Sequence, residues 1–95
     1  MSASLPRPLL TVYQRERCHL CDELRGILQS VLEERAARSQ VVPALREVDV
    51  DADPQLAARY GALVPVLALG EHELPLAMSA RHVRAFLDAL LPQLA

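Results

Sequence analysis

Cys18-His19-Leu20-Cys21 is the stretch on which the reading of this 95-residue chain turns. Before it stand a short apolar run, Leu9-Leu10-Thr11-Val12-Tyr13, and a polar loop, Gln14 to Arg17. After it Leu20, Leu24, Ile27 or Leu28, and Val31 recur every three to four residues. That period marks one buried helix face and predicts a helix from about Cys18 to Arg38, with Glu33, Glu34, Arg35 and Arg38 on its solvated side. The preceding run is partly β-branched and bounded by Pro8, which predicts a central strand buried on both faces. Two cysteines separated by two residues close too short a loop to staple a fold, because little unfolded-state entropy is removed. Their place at a strand-to-helix junction suits a reactive dithiol better. Only a thiolate attacks a disulfide, and the unpaired N–H groups and positive dipole end of a helix start favour the anion.

Working outward, Ala44 to Val50 mixes apolar residues with Arg46, Glu47 and Asp49, as expected of an exposed edge strand. A helical crossover between two such strands implies parallel pairing. Asp53 as N-cap, Pro54 at the first helical position, Leu56, Ala57 and Tyr60 as an apolar face, and Gly61 as terminator predict a short helix. Val64 to Leu69 reads as a third strand, joined by Gly70-Glu71 to a fourth at His72 to Ala77. Pro75 lacks a ladder donor, which places that strand on a sheet edge. Ser79 caps a last helix carrying Val83, Phe86, Leu87, Leu90 and Leu91 and ending near Pro92. The order βαβαββα predicts an α/β domain, a four-stranded mixed sheet flanked by three helices.

The bulk properties agree with one domain over residues 1–95, with residues 1–8 as a flexible tail. The chain is 52% hydrophobic and 23% charged, and no apolar run approaches the roughly 20 residues of a membrane span. Met1 to Pro8 lack the basic start, apolar stretch and cleavage site of a secretory signal, so a cytoplasmic location is expected. All ten basic residues are arginines, spread along a chain of net charge −2. No basic stripe for nucleic acid results, and neither nucleic acid nor membrane is expected as a partner. A monomer is expected.

Leu10-Thr11-Val12-Tyr13, Cys18-His19-Leu20-Cys21-Asp22, Val48-Asp49-Val50-Asp51, Tyr60-Gly61 and Val64-Pro65-Val66-Leu67 together resemble a group of short glutaredoxin-like bacterial proteins of the thioredoxin fold. The resemblance runs from about Leu9 to Leu91. It implies a thiol–disulfide oxidoreductase, with Cys18 as nucleophile and Cys21 as resolving thiol, that reduces a protein or small-molecule disulfide through a mixed disulfide. It also implies a cis Val64–Pro65 bond beside the dithiol, credible because the second residue is proline, with the Val64 backbone pairing to an extended substrate. Arg15 matches the basic residue of the glutaredoxin loop and is the third substrate-binding candidate. Where glutaredoxins hold glutathione through a glycine pair and an acid, this chain reads Leu76-Ala77-Met78-Ser79-Ala80. No bound cofactor is expected, and glutathione remains one candidate electron donor.

Charges around the dithiol pull both ways. Arg15, Arg17 and a protonated His19 would favour the Cys18 thiolate, whereas Glu16, Asp22 and Glu23 oppose it. Asp22 is also a candidate acceptor of the Cys21 proton. The first strand offers only Thr11 as a polar side chain, so the buried acid found beneath thioredoxin dithiols is absent. Two other readings stay open: a metal or iron–sulfur site using Cys18 and Cys21, and a non-enzymatic interaction module. The first needs more ligands than one Cys-x-x-Cys, and His72 and His82 belong to other elements, so no metal is expected. Asp49, Asp51 and Asp53 alternate like a calcium loop, but Pro54 and Tyr60 stand where it needs Gly and Glu.

Overall fold

A computed structural model describes residues 7–91. The first strand, β1 (Leu9–Gln14), is central, between parallel β2 (Ala44–Asp49) and antiparallel β3 (Val66–Leu69). The hairpin strand β4 (His72–Leu74) lies outside β3, giving the order β2-β1-β3-β4. Side chains alternate across a strand, and this alternation divides the interior in two. Leu10 and Val12 of β1 and Leu67 and Leu69 of β3 meet α1 (His19–Ala37) and α3 (Ala80–Leu90) on one face. On the other face, Tyr13 and Val66 pack with Tyr60 and Leu56 of the short α2 (Pro54–Tyr60). The result is the thioredoxin-like βαβαββα architecture. No helix among the described residues is long and apolar enough to cross a membrane.

The caps act as the residue types require. Asp53 accepts from the Gln55 N–H at 2.8 Å, with Pro54 behind it, and Ser79 accepts from the His82 N–H at 3.3 Å. Gly61 closes α2 in right-handed geometry, φ −55°, so its value is space. A Cβ there would lie 2.5 Å from the Ala57 carbonyl oxygen and 3.1 Å from Arg15 Nη2. Ser39, at φ +57°, ends α1, and the Gln40 N–H returns to the Arg35 carbonyl at 2.9 Å, closing a Schellman-type turn.

Several boundaries and faces differ from expectation. The buried stripe of α1 is Cys21, Leu24, Leu28, Val31 and Arg35. Leu20 is therefore 42% exposed, because Cys21, three residues before Leu24, takes the inward position. The same phase carries Arg35 inside, where it is 3% exposed, not on the solvated face. There Nη1 donates to Asp88 on α3 at 2.7 Å and Nε to the Val41 carbonyl at 2.7 Å. The third strand starts at Val66, not Val64, and the fourth stops at Leu74, before Pro75, whose ring nitrogen cannot donate to a ladder. Of the predicted tail, residues 1–6 lie outside the described residues. Arg7 donates to the Val42 carbonyl at 3.1 Å, and the Pro8 carbonyl accepts from the Ala44 N–H at 2.8 Å. Pro92, the predicted end of the last helix, is also outside the described residues.

Candidate active site

The loop after β1 brings Cys18 to the head of α1. Arg17, at φ +55°, makes the turn, and Cys18 is the N-cap in extended geometry. Its Sγ accepts from the Cys21 N–H at 3.1 Å, the bond that a serine or aspartate oxygen makes in an ordinary N-cap. The sulfur thus lies where the helix presents its unpaired donors. Cys18 and Cys21 are joined as a disulfide, with Cα atoms 5.1 Å apart. Their environments are unequal. Cys21 is 3% exposed and packs with Val50, Tyr60, Val64 and Val66, whereas Cys18 is half-buried at the edge of the same cluster.

The Val64–Pro65 peptide bond is cis, and Val64 packs in that cluster with Cys21. Past Pro75 the chain runs alongside this segment: the Leu76 N–H donates to the Leu63 carbonyl and the Ala77 N–H to the Pro65 carbonyl, each at 2.9 Å. The Val64 N–H and C=O between them make no backbone hydrogen bond among the described residues.

Most of the charges are tied to one another. Arg15 commits all three donor nitrogens: Nε and Nη2 reach the two Asp51 oxygens at 3.0 Å, and Nη1 reaches the Gly61 carbonyl at 3.0 Å. Asp51, through its hydrogen bond and then its charge, holds the guanidinium still more firmly protonated. Arg15 therefore braces the dithiol loop against the turn after β2 and the end of α2. His19 is exposed, its Nε2 3.2 Å from Glu23. Asp22 pairs with Arg25 at 3.0 Å at the surface, away from the buried Cys21 sulfur. Arg25 also donates to Gln14 at 2.9 Å. Arg17 is exposed.

Three features escaped the sequence reading. Tyr60 stacks on Tyr13 at 4.1 Å between ring centroids, and its hydroxyl donates to Glu73 on β4. Burial, then that hydrogen bond, pushes the Tyr60 phenol far above its ordinary range, so it stays neutral beneath the dithiol. Asp51 is the partner of Arg15. Leu63 and Leu76 are brought together at the surface. None of these pairings has a local signature. Among the described residues no group of three or more His, Cys, Asp or Glu could hold a metal.

Residues 9–90 match the glutaredoxin-like domain family, DUF836. The chain belongs to this family. Among solved structures, the glutaredoxin-like domain is similar to the structural-genomics target XcR50 of X. campestris. The identity is 40% and the TM-score 0.69, over 84% of this chain and 96% of that one. Protein Ne2328 of Nitrosomonas europaea is 26% identical with a TM-score of 0.62, over 90% and 98%. Deadhead, a germline-specific thioredoxin of Drosophila melanogaster, shares the fold, with 17% identity and a TM-score of 0.60 over 90% and 82%. No curated protein matches the chain.

Proposed function

We propose that this glutaredoxin-like domain is a cytoplasmic thiol–disulfide oxidoreductase acting on protein or small-molecule disulfides. The observation that carries the reading is the asymmetry of the pair: the Cys18 sulfur sits partly exposed in the N-cap hydrogen bond, and Cys21 is buried one turn behind it. A hydrogen bond to a charged acceptor is worth about 1.5–3 kcal/mol. Made to the thiolate and not to the thiol, it favours the anion of Cys18 in the reduced form. Cys18 Sγ⁻ attacks one substrate sulfur, the Sγ–S bond forms, the substrate S–S bond breaks, and one substrate thiolate leaves. Cys21 then loses its proton and attacks Cys18 Sγ. The second substrate thiolate leaves, and the protein ends in the Cys18–Cys21 disulfide. Two electrons have passed to the substrate, and a thiol or dithiol donor, glutathione among the candidates, returns them.

In this reading Val64 offers its unpaired backbone to the substrate beside cis Pro65. Arg15 acts by positioning the loop, and His19 and Arg17 set the local charge. A monomer suffices for every step. Cys18→Ser is expected to abolish reduction of a small aromatic disulfide, and Cys21→Ser to accumulate a mixed disulfide at Cys18 visible by intact-mass measurement. Full dithiol turnover by both variants would refute the assignment.

A further inference from the structure

Thr11 is a polar side chain in the middle of the central strand, only 5% exposed, and the dithiol chemistry makes no use of it. Its Oγ1 accepts from Arg46 Nη2 on β2 at 3.3 Å. In the sheet register Thr11 stands between Arg46 on one side and Ala68 of β3 on the other. Alternation puts these three side chains on the face that carries Tyr13 and Val66. α2 packs over Tyr13 and Val66, and towards Leu9 the same face continues as an open hollow of about 670 Å³, a size usual for small-molecule sites. The hollow exists because Thr11 and Ala68 are small, whereas Tyr13 and the exposed Leu9 stand on either side of Thr11 along β1.

Charge decides what fits. The lining holds Arg46 and His72 and, among the described residues, no acidic side chain. Arg46 is exposed and bonds to a neutral hydroxyl, and its charge has no carboxylate partner among the described residues. Glu73, opposite Ala68 on β4, is already held by Tyr60 and Arg59, and Glu71 is exposed outside the lining. Thr11 takes one of the five guanidinium N–H donors and lays the side chain over the sheet. The remaining donors can grip a planar carboxylate through two parallel bonds. We propose that this face is a binding site for a small aromatic carboxylate, with its ring on Thr11 and Ala68 between Tyr13 and Leu9 and its carboxylate on Arg46. The site is separate from the dithiol, and no bond is made or broken in it.

The test titrates the oxidised protein with naphthoate, and separately with the neutral naphthamide, while backbone amide shifts are followed by NMR. Naphthoate is expected to shift the amides of Thr11, Arg46, Ala68 and Gly70. Naphthamide should bind about tenfold more weakly, the loss of one charge-assisted bond. Arg46→Gln should weaken naphthoate about tenfold and leave naphthamide unchanged. Arg81→Gln, which removes another exposed arginine, should leave both unchanged, and so should reduction of the dithiol. No shift with about 5 mM naphthoate, equal affinity for acid and amide in the unaltered protein, or unaltered naphthoate affinity in Arg46→Gln would overturn the site. Equal weakening by Arg81→Gln would reduce the effect to general charge attraction, and shifts centred on Cys18 and Val64 would place the ligand at the dithiol. Either result overturns the proposal.

Discussion

Removing Asp88 should destabilise the protein more than removing its partner Arg35. Arg35 is 3% exposed, with Nη1 on Asp88, Nε on the Val41 carbonyl, and Nη2 already without a partner. Asp88→Ala leaves that guanidinium buried with one carbonyl for company. Breaking a fully buried ion pair from one side costs about 3–5 kcal/mol. Asp88 is itself 54% exposed, so water reaches the vacated side and the figure falls to about 2–3 kcal/mol. For a domain of this size that is a Tm drop of roughly 10–20 °C. Arg35→Met removes the buried charge and returns Asp88 to solvent, so it should stay within about 1 kcal/mol of the unaltered protein. The double variant should resemble Arg35→Met. Urea unfolding followed by circular dichroism gives all four corners of the cycle. Cys18 lies 17 residues away along α1, about 26 Å, so its alkylation rate in the reduced folded protein should not change. If Arg35→Met is as damaging as Asp88→Ala, or Asp88→Ala costs less than about 0.5 kcal/mol, the argument from buried charge is wrong.

Ser39→Gly should stabilise the protein by about 1 kcal/mol in the same urea assay, because Ser39 ends α1 in a left-handed conformation that glycine adopts freely. Tyr60→Phe should flatten the alkaline limb of the stability curve. The folded state raises the Tyr60 pKa above its ordinary value of 10.0, so this contribution is complete below pH 10 and lost progressively above it, as the unfolded chain releases the proton first. Unfolding midpoints at pH 8 and pH 11 check this. A loss between the two as large in Tyr60→Phe as in the unaltered protein would show that Tyr60 is not its source.

Much of the site was legible in the chain. Cys18 stands at a strand-to-helix junction because the apolar run stops at Tyr13 and helical spacing begins beyond it. Asp53-Pro54, Gly61 and Ser79 carry their own start and stop chemistry. Arg35 was read from its charge when its position, seven residues after Leu28 and four after Val31, already put it on the buried stripe. That signal was present, and the residue type outweighed it wrongly. Arg15 is different. Its partner Asp51 is 36 residues away, and nothing near either residue announces the other.

The sequence by itself determined the order of elements, the caps of α2 and α3 and the nearness of the two cysteines, all set by interactions within a few residues. Tertiary structure alone decided that Arg15 is a brace, that Tyr60 meets Glu73, and that Leu76 comes to lie beside Leu63. Those features depend on how β3, the turn before it and the segment after Pro75 pack against β1 and the head of α1. Contacts between segments so far apart along the chain leave no local period or cap to read.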